Sequence, residues 1–474
     1  MRSRSTYDVV VAGGGTAGAI AAIAAARTGA RTLVIERYGY LGGVLSLGMG
    51  LLGSVDAEGY WALGGIGREL TARLQASGGA TAAALNPAFG SILGQDPELL
   101  KLELLEMALD DGVDLLFHAT VIDAMVDDGQ VRALLVATKR GVELVPCRAV
   151  VDCTGDADVV AAAGGQFSYG RGDGPVVQPV SRIFRVGGVD LDAVFGYLER
   201  HPAELRLPKG WGGTSPSTDY LRSTPGVTFD AFPDLIEKAK AAGDFPIPRS
   251  YVGMYTLPGR DDVGINLTRA QGIDGTDPDS VTRAEVETQR QMLAAVRFLR
   301  RYVPGFADCV LISAPHQLGV RETRHIISEY LLSRSDVMSG ADFDDQVGRG
   351  AYPLDLHDPA PDETVLGARV PGGGVTLLPL RRSYGIPRRC LVPRDLANMT
   401  VGGRCIAATH EAAGSVRGQA VCMVTGHAAG TMAALASADG GAVSDVPLSA
   451  LRSTLVKQGA ILGRTAEDRL GADG

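Results

Sequence analysis

The sequence is short of positive charge, of paired cysteines and of long apolar runs. Its 474 residues hold 45 Lys and Arg against 54 Asp and Glu, a net charge of −9. A nucleic-acid partner needs clustered cations against its phosphates, so this balance argues against one. Cys147, Cys153, Cys309, Cys390, Cys405 and Cys422 form no C-x-x-C pair and mostly sit in apolar strings. They predict buried free thiols, no metal site and a reduced, cytoplasmic setting. Apolar stretches such as 19–26 are too short for a membrane span. The opening Met1-Arg-Ser-Arg-Ser-Thr has no apolar segment of a signal peptide behind it. No internal repeat or long low-complexity tract is present.

Glycine, by contrast, is plentiful at 63 residues, which predicts many tight turns and close backbone approaches. The most telling group comes early. A β-branched run over 7–12 leads into Gly13-Gly14-Gly15-Thr16-Ala17-Gly18, which fits G-x-G-x-x-G. An Ala-rich helix over 19–27 follows, with Gly29 to end it. A second strand over 31–35 ends in Glu36. In such a β-α-β unit Gly13 permits the turn, Gly15 admits a pyrophosphate and Gly18 lets helix and sheet pack closely. The helix start at Thr16 and Ala17 offers N–H groups to phosphate, and Glu36 accepts from a ribose diol. After Arg37, the run Leu41-Gly42-Gly43-Val44-Leu45-Ser46 suits a loop beneath a longer cofactor, with Ser46 as a hydrogen-bonding group. That favours FAD over NAD.

The next segment predicts a helix over 97–111, then strands over 115–121, 131–138 and 142–145, with a turn at Lys139-Arg140-Gly141. A further strand from Ala149 ends in Thr154-Gly155-Asp156. This small meander closes the cofactor domain. Val121, Thr154 and Gly155 are placed on the cofactor, and Asp156 bonds a hydroxyl or caps the following helix. From 166 to 370 periodicity fades, and we expect an inserted substrate domain with a helix over 286–302. Trp61 and Trp211 lie outside the clear cofactor motifs. A third cofactor element follows: a strand over 398–401, Gly403 and Arg404, then Thr409 to Arg417. The small residues Gly426, Ala428, Ala429 and Gly430 suit close packing on the first helix. A helix start near 414–416, including Ser415 and Val416, is expected to face the flavin pyrimidine.

The expected fold is therefore α/β. A Rossmann-like FAD-binding domain, parallel sheet plus β-meander, covers 1–165 and 371–440. An α+β substrate domain is inserted over 166–370, and 441–474 is a C-terminal extension. With these stretches, and with Gly319-Val-Arg-Glu-Thr-Arg324 and Tyr384-Gly-Ile-Pro-Arg-Arg-Cys-Leu-Val-Pro393, the chain resembles the FAD-dependent oxidoreductase family of glutathione-reductase-type flavoproteins. The resemblance implies bound FAD and a redox role, and it supplies no substrate.

Three functions compete: a dehydrogenase or oxidase, an ene-type reductase of the fumarate-reductase kind in which an Arg protonates a double bond, and a non-catalytic FAD-binding protein. A single dinucleotide motif favours oxidation of a small molecule, with oxygen, a quinone or a carrier protein taking the electrons. Association of identical chains stays open. Arg321, Glu322 and Arg324 are costly to bury unpaired. They line the substrate pocket, or Glu322 pairs with an Arg; if the substrate is a carboxylate, Arg321 is the first choice to grip it. His410 is the first candidate for a base, tuned by Glu411 or Arg417, with His316 second and Tyr384 held in reserve.

Overall fold

The computed structural model describes residues 2–171, 177–206, 217–357 and 375–471. Trp211 and the expected domain boundary at 370–371 lie outside them. The fold is built on an eight-stranded sheet. Five segments run parallel, in the order Asp114–Phe117, Thr32–Glu36, Tyr7–Ala12, the second half of Gly141–Asp152, and Met399–Val401. Val9 and Val11 point to one face, Val10 and Ala12 to the other, and all four are buried. Burial on both faces is what a parallel sheet with covered sides requires.

The meander is present, with two differences from expectation. The strand read at 115–121 is two, Asp114–Phe117 in the parallel sheet and Thr120–Asp127 in the meander, parted at His118 with φ +53°. The strands read at 142–145 and from 149 onward are a single strand, Gly141–Asp152. Its first half pairs antiparallel with Gln130–Thr138, which pairs with Thr120–Asp127. Its second half pairs parallel with Tyr7–Ala12. Pro146, with no N–H to give, sits where the strand changes partners.

Helix Thr16–Arg27 covers one face beside the long helix Gln419–Asp439. Their contact depends on small residues, as the sequence indicates. A Cβ at Gly426 would lie 2.2 Å from the Ala17 carbonyl oxygen, and one at Gly430 would lie 2.1 Å from that of Ala21. Gln419–Asp439 is long and apolar enough to cross a membrane, but 94% of its most apolar window is buried in the fold.

Residues 183–313 supply a second, six-stranded antiparallel sheet. The helix expected over 286–302 starts earlier and spans Pro278–Tyr302. Its start signal is local: Asp277 accepts from the N–H groups of Asp279 and Ser280, and Pro278 opens the first turn. Buried Arg185 ties this sheet to helix Pro97–Asp110, pairing with Asp262 and with Glu98, each at 2.7 Å. The C-terminal stretch is stitched back as well, because Gly65 N–H donates to the Gly459 carbonyl at 2.7 Å.

The helix contact gives a stability prediction. Gly430→Ala should destabilise the protein by ~1–3 kcal/mol in a denaturant melt, although alanine is the better helix former by about 1 kcal/mol. A melt that shifts to higher denaturant would show that the two helices are not held at this distance.

Candidate functional site

The first strand ends in a turn that only glycine permits. Gly13 has φ +88°, and a Cβ there would lie 2.6 Å from the Cys153 carbonyl oxygen. At Gly18 the added atom would lie 1.8 Å from the Gly13 carbonyl oxygen, so helix and turn are in direct contact. Gly15 differs: a Cβ there would meet nothing within 4 Å. That open space sits over the N-terminus of Thr16–Arg27, where free N–H groups favour phosphate oxygens. A pyrophosphate fits such a cradle.

The loop at Gly42 and Gly43 folds onto this turn. Gly42 N–H donates to the Gly14 carbonyl at 2.9 Å, and Thr16 Oγ1 donates to the Gly42 carbonyl at 3.1 Å. Ser46, expected to bond the cofactor, donates instead to the Gly43 carbonyl at 2.8 Å and stays off the cavity wall. Its short hydroxyl is taken by its own loop.

Glu36 is 7% exposed and sits at the cavity wall. Its carboxylate accepts from Gly14 N–H at 2.7 Å and Tyr38 N–H at 2.8 Å. Burial pushes its pKa up, against the pull of these N–H groups. Arg37 and Val121 line the same end. Further along stand Thr154, Gly155, Asp156, Gly403 and Arg404. The two readings of Asp156 are resolved in favour of a side-chain partner. It accepts from Arg404 Nη2 and from the Thr323 hydroxyl, both at 2.6 Å. The next helix, Asp158–Ala162, is held by Asp152, which accepts from Val159 and Val160 N–H at 2.9 and 3.0 Å.

One cavity of about 380 Å³ is lined both by these groups and by a second set: Arg321, Tyr352, Arg417, Gly418 and Gln419. The helix start expected near 414–416 is displaced. Residues 410–416 form a separate short helix that ends there, and the long helix begins at Gln419 behind Gly418. Gly418 is needed, because a Cβ there would lie 2.5 Å from the Tyr352 ring. Ser415 and Val416 are fully buried and line nothing. Ser415 Oγ donates to the Tyr352 carbonyl at 2.6 Å and shares a 2.8 Å bond with Tyr384 OH.

The expected charged residues separate. Arg321 reaches the cavity. Glu322 lies behind it, 1% exposed. Its partner is a histidine, not an arginine: Glu322 accepts from His410 Nδ1 at 2.8 Å, with His325 Nε2 at 3.5 Å. Burial alone would raise the Glu322 pKa, and these two imidazoles hold it down. His410 Nε2 is buried without a hydrogen-bond partner among the described residues. His410 does not line the cavity, and neither do Arg324, bonded to Asp158 at 2.9 Å, and exposed His316.

Sequence reasoning passed over Tyr352, Asp355, His357, Arg249 and Arg269. They are scattered over a hundred positions with no shared spacing, so no local signal marks them. Arg417 was considered only as a neighbour of His410. It lines the cavity and donates to Asp355 Oδ2 at 2.7 Å.

Solved structures of low similarity match over most of the chain. A geranylgeranyl bacteriochlorophyll reductase-like protein from Thermoplasma acidophilum aligns over 96% of this chain and 84% of its own, with 14% identity and TM-score 0.46. A flavin-dependent brominase aligns over 96% and 83%, with 12% identity and TM-score 0.44. A p-nitrophenol 4-monooxygenase from Pseudomonas putida aligns over 97% and 85%, with 12% identity and TM-score 0.44. The family model described as FAD dependent oxidoreductase matches residues 8–455, nearly the whole chain, and the protein belongs to that family of FAD-dependent enzymes.

Proposed function

We propose that this enzyme takes a hydride from a C–H bond of a small organic molecule, as a dehydrogenase or oxidase. FAD, when bound, supplies flavin N5 as the hydride acceptor, or as the donor in the reverse direction. The observation that carries this reading is the single cavity. Glu36, the glycine turn, Arg321, Tyr352 and Arg417 all line it, so cofactor and substrate share one cavity. The antiparallel sheet within 183–313 supports the oxidative direction. Among the described residues that region holds no second β-α-β dinucleotide unit to take NAD(P)H. We assign it to the inserted α+β substrate domain, which reaches the cavity through Ser181 and Ile183.

In this reading Gly13, Gly15, Thr16 and Ala17 cradle the pyrophosphate, Gly18 holds the helix against the turn instead of touching it, and Glu36 accepts from the adenosine ribose. Gly403, Arg404, Thr154 and Gly155 close the phosphate side. Arg321 is the residue that touches substrate. His410 and Glu322 act behind it, fixing the segment that carries it.

A second reading, reduction of an activated alkene, draws on the acid strength of Arg321. Burial pushes its guanidinium down to about 9, helped by the charges of Arg417, Arg269 and Arg249 and opposed by Asp355. An arginine at that value can give a proton to one alkene carbon and recover it from solvent.

Glu36→Ala should weaken FAD binding by ~1–3 kcal/mol, read as a rise in Kd on titrating the apoprotein with FAD. An unchanged Kd would remove the ribose role.

Anaerobic mixing separates the two directions. Bleaching of oxidised enzyme by a C–H substrate supports oxidation, and reoxidation of reduced enzyme by an alkene supports the reverse. Silence towards both sinks both. In whichever direction runs, Arg321→Lys should slow the flavin step roughly 10²–10⁴-fold at full FAD content. The wild-type rate should fall as pH rises through about 9, where Arg321 loses its charge and its proton. His410→Asn keeps a donor for Glu322 but no base, and should stay within about ten-fold of wild type; a loss of 10²–10⁴-fold would make His410 the base.

A further inference from the structure

One part of the cavity wall is rich in arginine. Arg321 and Arg417 line it. Arg249 and Arg269 stand close behind, 6% and 2% exposed, near enough that their charges oppose that of Arg321. These four arginines come from separate parts of the chain.

Among the described residues Asp355 and Glu322 are the carboxylates bonded in this cluster, and both are already engaged. Asp355 accepts from Arg417 at 2.7 Å and from Tyr352 OH at 2.8 Å. Glu322 serves His410. His357 adds no positive charge. Arg269 Nη2 donates to its Nδ1 at 2.9 Å, and a guanidinium cannot accept, so the imidazole proton sits on Nε2, 3.4 Å from Asp355. Burial, then Arg321, push His357 well below its ordinary pKa.

Arg321 itself donates only to neutral oxygens, the Pro179 carbonyl and Ser181 Oγ. No carboxylate lies within ion-pair distance of it among the described residues. Arg417 Nε is buried without a hydrogen-bond partner among them. A buried guanidinium with no carboxylate of its own is costly, and an entering anion relieves that cost.

We propose that this part of the cavity is an anion site, and that the substrate is a small organic carboxylate held by Arg321 and Arg417 against Tyr352. The inference rests on the reading of the cavity as one catalytic enclosure. Planar guanidinium forks match two coplanar oxygens. Apolar side chains suit an organic body: Leu52 and Ile183 line the cavity, one beside the residue that packs on Tyr352, the other two positions from the serine that holds Arg321.

The test titrates oxidised holoenzyme with acetate, succinate and benzoate, with their amides, and with sulfate, reading the flavin absorption spectrum. At least one carboxylate should shift the spectrum saturably and bind at least about ten-fold more tightly than its amide. Its affinity should fall as pH rises above about 9. Arg321→Gln should weaken it by about ten-fold or more at unchanged FAD content. The proposal is overturned if no carboxylate outbinds its amide, a comparison that needs no variant. Sulfate binding as tightly as the best carboxylate overturns it too, in favour of an inorganic oxyanion. Carboxylate binding in an enzyme whose flavin no substrate bleaches and no alkene reoxidises supports the anion site and removes the redox reading. Turnover of a neutral substrate by an enzyme that binds no carboxylate does the reverse.

Discussion

Three backbones meet at the start of the first helix, and the rest of the molecule is arranged around that contact. Side chains at Gly13, Gly18 or Gly426 would fall 2.6, 1.8 and 2.2 Å from backbone oxygens of Cys153, Gly13 and Ala17. With no Cβ at these points, the end of the first strand, the first helix and the long C-terminal helix close on one another. The same contact sets the helix N-terminus at the carboxyl edge of the parallel sheet, where ligands of such sheets bind. The cavity opens there because Gly15, within the same turn, has nothing above it.

The cavity wall differs in charge from place to place. At one place a buried carboxylate, Glu36, keeps accepting capacity beyond that taken by backbone N–H groups such as Gly14 and Tyr38. That suits hydroxyl groups. At another stand a helix N-terminus and Arg404, which suit phosphate. Elsewhere on the wall is Arg321, which donates to neutral oxygens only. In the proposed reading a dinucleotide puts its ribose diol at Glu36 and leaves the arginines for what arrives second.

The sequence disclosed the parts that local spacing encodes. Gly13, Gly15 and Gly18 fall in a fixed pattern because turn, cradle and packing follow one another within six residues. Gly426 and Gly430 were legible because they are one helical turn apart and face one helix. The start of Pro278–Tyr302 was missed although Asp277-Pro278 marks it, since the apolar periodicity only becomes strong further on. The register of Ser415 and Val416 was misjudged for a tertiary reason: Gly418 breaks the helix so that the Tyr352 ring can approach. The pairing of Glu322 with His410 spans 88 positions, and the arginine cluster draws on residues from 249 to 417. Neither has a sequence period, because each is assembled by the fold.

The most direct measurement is made at Gly15. Its backbone is extended, with φ −67° and ψ −162°, and a methyl group there touches no protein atom. Gly15→Ala should therefore fold normally, with apoprotein stability within about 1 kcal/mol of wild type. It should nevertheless lose FAD affinity by about ten-fold or more, since the methyl group occupies the space where the pyrophosphate approaches. Intact apoprotein stability with weakened FAD binding is the predicted result. A variant that binds FAD as tightly as wild type would show that the open space above the turn is not where the cofactor lies.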